Sequence, residues 1–381
     1  MTNSLVDRAK AILQRPISGP IGLDYDGISL RFVQIDRRAS ALTLRSAARL
    51  NVGPDLNEFL DSGPKAKRQI RDMLQRSGFR GNRIVTHAPS EDLRLMVLSY
   101  QLDAGASEPG VIVELARERM RSDLADYVID YVPTRTSGDQ QGERSALVAL
   151  IPEETIVRHL ERLERIGLAP EAIEIAPVAI RRLVVDLAER ATHRTVLVLR
   201  FRPNCTQLTM LSGRRLLLYR EVETGLDDIY DKVAKVLDCE GDVAAQLMSS
   251  YGVGALQELG LESSELSFED PEGENPDLDG ITGTLRETIR PALRPVIEQT
   301  HKAISYASFQ TRGMSLDQIY LLEDAASCPG LDGLLSEMLQ LPVKPLYPSE
   351  IVDSTASSHW RDGGQEFSVA LGMAMREVGD A

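Results

Sequence analysis

The stretch PIGLDYDGISLRFVQI, residues 20–35, decides how this chain is read. An apolar run ends in Asp24-Tyr25-Asp26-Gly27, and a second apolar run follows at once. That pattern is a strand, a tight turn and a returning strand. Paired aspartates before a glycine at a strand end also suggest chemistry. They suit a phosphatase nucleophile, a calcium loop or a nucleotide loop, and the surrounding sequence has to decide between them.

The same layout returns further along. Ile21 to Leu50 reads strand, turn, strand, turn, strand, and Thr195 to Glu223 repeats it about 175 residues later. Two β-meanders in the same order imply an internal duplication. Helical patterns fill the space between them. KAKRQIRDMLQRSG precedes the strand RIVTHAP, and VIVELARERMRSDL follows Pro109-Gly110. ETIVRHLERLERIGL places Ile156, Leu160, Leu163 and Ile166 on one face and stops at Gly167. PVAIRRLVVDLAER opens on Pro177 and aligns Ile180, Leu183, Val184 and Leu187. These apolar stripes are read as core. No Lys or Arg occurs between Val236 and Leu285, and the acidic, Pro- and Gly-rich part at 258–280 is expected to be an exposed loop. Helices resume at LRETIRPALRPVIEQTHKAISYASFQ, followed by the strand QIYLLED, the helix PGLDGLLSEMLQ, the edge strand PVKPLYP and a closing helix EFSVALGMAMREV.

Strands alternating with helices in two related halves predict an α/β protein of two lobes. The expected division is an N-terminal segment 1–19, a first lobe 20–190 carrying an inserted α/β subdomain at about 80–175, and a second lobe 191–381.

Bulk properties exclude several classes. Of 381 residues, 43% are hydrophobic and 26% charged, as in a soluble globular chain. A formal net charge of -14 argues against nucleic-acid binding, which needs a basic surface to displace counterions. Cys205, Cys239 and Cys328 show no CxxC spacing, so a reducing compartment and no metal site are expected. The five histidines form no HExxH pair. No apolar run reaches the roughly 20 residues that span a bilayer. MTNSLVDRAKAILQRP has no signal-peptide core, and its Leu5, Ala9, Ile12 and Leu13 suit a short amphipathic helix packed on its own domain or, alternatively, touching a membrane. The expected location is the cytoplasm.

The neighbours of Asp24-Tyr25-Asp26-Gly27 test the three chemistries. A haloacid-dehalogenase-type phosphatase would use Asp24 as nucleophile and Asp26 as acid. Such enzymes leave this loop into a helix or cap, whereas ISLRFVQI is a strand. Only Glu323 and Asp324 could supply the acidic magnesium cluster, and no lysine follows a strand in the required way. An EF-hand loop needs glycine at its sixth position between helices, and Gly27 is fourth between strands.

The nucleotide loop is favoured by a resemblance along nearly the whole chain. IGLDYDGISLRFVQI resembles the first phosphate hairpin of the PilM family of type IV pilus assembly proteins, which have an actin-like (ribonuclease-H-like) ATPase fold. AIEIAPVAIRRLV is similar to that family's segment before the second half. TVLVLRFRPNCTQLTMLSGRRLLLYREVETG resembles the second phosphate hairpin, IYLLEDAASCPGLDGLLSEMLQLPVKPLYP the adenosine-side segment, and SVALGMAMRE the closing helix. The resemblance implies a cytoplasmic scaffold at the inner face of the inner membrane, bound to the N-terminal cytoplasmic tail of a PilN-like bitopic protein. Type II secretion relatives (GspL-like) continue into a transmembrane helix, which favours the pilus-type component here.

The same resemblance places the nucleotide cleft on Asp24, Asp26, Gly27 and Ser29, on Arg200, Arg202 and Asn204, and on Glu323, Asp324 and Gly330. These segments depart from the family pattern. Asp26 and Gly27 replace a glycine and a small hydroxyl residue. A carboxylate about 4 Å from a phosphate costs about 4 kcal/mol at an effective dielectric near 20. Arg200-Phe201-Arg202 replaces Asp-x-Gly, and a guanidinium has no acceptor for a cation. Glu323-Asp324-Ala325 replaces a glycine cluster. The expectation is a pseudo-ATPase without ATP or magnesium, its vestigial pocket filled by salt bridges between these acids and the two arginines across the cleft. In a variant of that reading, Arg200 and Arg202 recruit a different anion. An active actin-fold ATPase and the phosphatase remain as alternatives.

Overall fold

The computed structural model describes residues 17–25, 28–38, 41–53, 56–89, 92–103, 105–134, 143–190, 195–253, 278–310, 315–353 and 360–376. The chain divides into two compact units, Met1–Leu187 with Tyr347–Ala381, and Ala188–Leu346.

The first unit is built on the opening hairpin. Strand β1 (Ile17–Tyr25) pairs antiparallel with β2 (Ser29–Arg38), which pairs with β3 (Ala41–Asn51). On its other side β1 pairs in parallel with β4 (Arg83–His87). Alternation puts Ile21, Leu23 and Tyr25 on one face, where they pack with Phe32, Ile70, Ile84 and Leu163. The opposite face of β1 presents Gly22, and a Cβ there would lie 1.8 Å from the carbonyl oxygen of Ala370. Only hydrogen fits, so the helix Ser368–Ala374 rests directly on the strand. This contact draws the chain end into the first unit. Residues from Tyr347 onward therefore belong with the first lobe, not with the second as the order along the chain suggests.

Strands β5 (Arg94–Gln101), β6 (Tyr127–Pro133) and β7 (Glu143–Pro152) form a separate antiparallel sheet in the order β5-β7-β6. Its core of Leu98, Tyr100, Ala146, Val148 and Leu150 closes on Ile112 and Ala116 of the helix Glu108–Met120. The inserted layer is narrower than 80–175. Strand β4 is buried from Ile84 to His87 because it lies between β1 and β8 (Ala169–Glu174) in the main sheet.

The second unit repeats the plan. Strands β9 (Thr195–Phe201), β10 (Thr206–Ser212) and β11 (Arg215–Val222) form the meander, and β12 (Gln318–Leu322) and β13 (Val343–Pro345) add in parallel. The sheet orders are β3-β2-β1-β4-β8 and β11-β10-β9-β12-β13, the same order in each unit. Every residue of β9 is buried, which is why TVLVLRF shows no polar alternation. Leu197, Leu199, Leu208 and Met210 pack under Ile229, Leu293 and Val296. One helix, Leu278–Gln310, runs through Pro291 and Pro295. The expected acidic loop 258–280 lies outside the described residues up to 277, and its last residues begin this helix. Of the N-terminal segment 1–19, residues 1–16 lie outside the description and 17–19 open β1.

Candidate functional site

In the first unit, the end of β1 carries a buried polar cluster. Asp24 is 0% exposed. The hairpin register sets Asp24 opposite Arg31, and the Arg31 guanidinium lies 3.5 Å from the carboxylate. Because Leu23 pairs with Thr86 on β4, the next residues, Asp24 and His87, fall side by side. His87 Nε2 lies 3.1 Å from Asp24 Oδ1. The Tyr25 hydroxyl donates to the His87 carbonyl at 3.1 Å, and the two rings stack at 3.9 Å. His159, on the helix Glu153–Arg165, lies 5.9 Å from the Tyr25 ring. Burial pushes the His159 imidazole down to about 4, helped by His87 and Arg162. Ser29 is buried at the start of β2, while Asp26 and Gly27 lie outside the described residues.

Within its own unit Asp24 has two charged or ionisable neighbours that the sequence did not announce, Arg31 and His87. The reason is register: a charge at the last inward position of a strand is nearest to the charges on the two strands that flank it. Neither Arg31 nor His87 was singled out in the sequence. A charged residue inside the apolar run ISLRFVQI was the available signal for Arg31.

In the second unit, the turn at Arg202 to Cys205 is closed by the Arg202 N–H donating to the Cys205 carbonyl at 2.8 Å. Pro203 has no N–H to offer. The carbonyls of Arg202 and Pro203 accept from Leu226 and Asp227, the first residues of the helix Leu226–Leu237, at 2.8 and 2.9 Å. Gly225 makes this approach possible, since a Cβ there would lie 2.2 Å from the Pro203 carbonyl oxygen. A phosphate cradle is made of free backbone N–H groups. In this turn the Arg202 N–H is already donated within the turn, and the helix start is occupied by Asp228, whose carboxylate accepts from Gly225 N–H at 2.8 Å. Burial, together with Asp231 and Asp228, raises the Asp227 carboxyl. Asn204 is exposed and Arg202 half-buried.

Arg200 is 1% exposed, and its Nε donates to Glu323 Oε2 at 2.7 Å. Glu323 directly follows β12, whose Leu322 pairs with Arg200. Its φ is 59°, in the left-handed region that favours glycine. Its backbone therefore keeps a glycine-like geometry while its side chain is a carboxylate. Asp324 is half-buried beside it. Gly330 is also left-handed, with φ 78°, and precedes the helix Leu331–Leu339. The structure thus brings together Arg200 and Glu323, and it joins Asp24 to residues the sequence reading missed. Among the described residues no three His, Cys, Asp or Glu side chains are placed to hold a metal ion. No helix among them is long and apolar enough to cross a membrane.

No protein-family model matches the sequence, and no curated protein is significantly similar to it. Among solved structures, the "PilM-PilN type IV pilus biogenesis complex" superposes with a TM-score of 0.70 and 21% identity over 93% of this chain and 97% of that chain. The ethanolamine utilization protein EutJ from Carboxydothermus hydrogenoformans gives 0.48 at 12% identity, covering 94% of this chain and 90% of that one. MreB5 of Spiroplasma citri bound to ADP gives 0.44 at 11% identity, covering 94% and 95%. With the duplicated sheet order, the first of these comparisons shows the fold: an actin-like α/β chain of two units, the architecture found in the PilM-PilN complex.

Proposed function

We propose that this chain is a non-hydrolysing scaffold of a type IV pilus, or of a related secretion assembly, at the inner face of the inner membrane. Its partner in this reading is the short N-terminal cytoplasmic tail of a PilN-like bitopic membrane protein. The observation that carries the proposal is the state of the two hairpins within a fold that matches a pilus assembly complex over 93% of the chain. At each hairpin a buried charge is matched by a residue of the same unit: Asp24 by Arg31 and His87, and Arg200 by Glu323. The Arg202–Cys205 turn supports the same reading, because its closing hydrogen bond and Pro203 leave little backbone for a phosphate. The residues present fit Mg-ATP poorly, and no catalytic step is assigned to it.

Two measurements test the proposal. Titration calorimetry of the purified chain with Mg-ATP is expected to give no heat of binding, and stoichiometric, magnesium-dependent binding would sink the pseudo-ATPase reading. Detergent-solubilised pulldowns are expected to recover a membrane protein with a short cytoplasmic tail. Recovery of none would remove the scaffold assignment.

A further inference from the structure

We propose that β5, in the inserted layer of the first unit, is a self-association edge. A second copy of this chain pairs with it antiparallel, β5 on β5, about a two-fold axis at Val97. The inference goes beyond the scaffold reading and does not rest on it.

Three observations point the same way. The first is that the edge is open. In the order β5-β7-β6, strand β5 pairs with β7 alone. Among the described residues its backbone takes no hydrogen bond from outside the sheet. Natural edges are blunted by proline, by a charge within the strand or by shortness. Strand β6, the opposite edge, carries Asp130 in its middle and ends at Pro133. Strand β5, RLMVLSYQ, runs for 8 residues with neither, and its one charge stands at the first position. The second observation is a groove along that edge. One hollow of about 370 Å³ is lined by Ser99, Tyr100, Gln101, Val111 and Leu115, and an adjoining one of about 280 Å³ shares Ser99 and Leu115. Successive strand residues point to opposite faces, so residues 99–101 line one hollow only where it runs along the strand's edge. The helix Glu108–Met120 forms the other wall. The third is self-complementarity. A two-fold axis between antiparallel strands sets each residue opposite the position equally far beyond the central one. With Val97 at the centre, Val97 meets its own copy on the outer face, covering a side chain now 40% exposed. On the inner face Met96 stands opposite Leu98 of the second copy, beside the hollows, and Arg94 opposite its Tyr100. Arg94 is exposed and makes no ion pair among the described residues. The Tyr100 hydroxyl donates to Glu108 at 2.8 Å, so Arg94 arrives beside a half-buried carboxylate. Arg144 already meets that carboxylate within one copy, and a carboxylate accepts from several donors. Pairing at this edge turns two three-stranded sheets into one continuous sheet.

Sedimentation velocity of the full chain across a concentration series is expected to show a monomer and a dimer in exchange. Val97→Lys sets two ammonium groups against each other at the axis, and should raise the dimer's dissociation constant by roughly a hundredfold or more. The side chain is already partly exposed in one copy, so the melting temperature of the variant should match that of the wild type at a concentration where both are monomeric. Two cysteine variants read the register without depending on that substitution. Opposed side chains in antiparallel strands have Cβ atoms about 4.5 to 5.5 Å apart, close to the spacing that a disulfide bridges. Under mild oxidation Val97→Cys is expected to give a covalent dimer, since position 97 faces itself. Ser99→Cys is expected to give none, since position 99 faces Leu95 of the second copy. The wild type, with Cys205, Cys239 and Cys328 in place, is the control. A monomer at every concentration, a dimer indifferent to Val97→Lys, or equal cross-linking of the two cysteine variants overturns the proposal. So does a monomeric chain whose capture of a short-tailed membrane protein is lost in Val97→Lys, which would give the edge to a strand added by that partner. The outcomes separate from those of the scaffold reading: Mg-ATP binding or the lack of a membrane partner counts against the scaffold, whereas a monomer counts only against self-pairing.

Discussion

The Arg200–Glu323 pair gives the sharpest test of how the second unit is held together. The two groups are 1% and 5% exposed and 2.7 Å apart. At that distance and an effective dielectric of about 20, their attraction is about 6 kcal/mol. Removing both charges from water costs several kcal/mol each, so the pair as a whole adds little net stability. Breaking it is another matter, because the remaining charge stays buried. Arg200→Met and Glu323→Gln are each expected to cost about 3 to 5 kcal/mol, while the double variant recovers to within about 2 kcal/mol of wild type.

The two single variants also differ with pH. In Arg200→Met the Glu323 carboxyl can take up a proton, and losing the Arg200 cation while staying buried shifts its folded pKa upward. Its deficit therefore shrinks as pH falls. The Glu323→Gln deficit does not, since Arg200 stays charged. Urea unfolding of the whole chain, followed by a probe in the second unit at pH 5 and pH 8, reads both effects. Additive losses in the double variant, or single losses below about 1 kcal/mol, would refute the reasoning.

Three further outcomes are expected. Gly22→Ala places a Cβ 1.8 Å from the Ala370 carbonyl oxygen, so it should cost about 3 kcal/mol or more, whereas Gly283→Ala, in open space on a helix, should gain up to about 1 kcal/mol; thermal melts compare them. The His159 pKa, lowered to about 4, makes the folded state favour the neutral ring. Stability from this group is complete above the unfolded value near 6.5 and is lost as pH falls toward 4, by up to about 3 kcal/mol, and His159→Leu should remove that slope from urea titrations. Finally, with Asp24 fully buried, the wild type should show no turnover of p-nitrophenyl phosphate above buffer. Activity that disappears in Asp24→Asn would reinstate the phosphatase.

The meanders were legible because strand alternation and turn chemistry are local. PIGLDYDGISLRFVQI and TVLVLRFRPNCTQL announce their hairpins without knowledge of anything distant. The return of the chain end to the first unit was not legible, since it depends on a contact between Gly22 and Ala370. Small residues in SVALGMA hint that something approaches closely, but not what. The Arg200–Glu323 pair was legible from residue type, whereas Arg31 and His87 beside Asp24 were not. Pairing depends on which strands are neighbours, and β1 meets β4 across about 60 residues of chain. The left-handed backbone at Glu323 was equally invisible, because only glycine advertises such a position in sequence.

The duplication makes the two buried pairs comparable. In each unit the first strand of the meander lies beside the first parallel strand added to it, β1 by β4 and β9 by β12. Near the carboxyl end of that shared edge, each unit buries one charge on the meander strand. Each also sets a second ionisable group just after the parallel strand's last residue paired to it. In the first unit the meander strand carries the acid, Asp24, and its neighbour is His87. In the second the meander strand carries the base, Arg200, and its neighbour is the acid Glu323. The topology keeps the location and the sequence reverses the sign. An anion at either edge needs donors there, and Asp24 offers none when ionised. Arg200 does offer them at the equivalent position of the second unit, and a carboxylate of the same unit already accepts from it. The two edges therefore differ in what they offer an anion: the first carries an acid, and the second a base that a carboxylate of its own unit already meets.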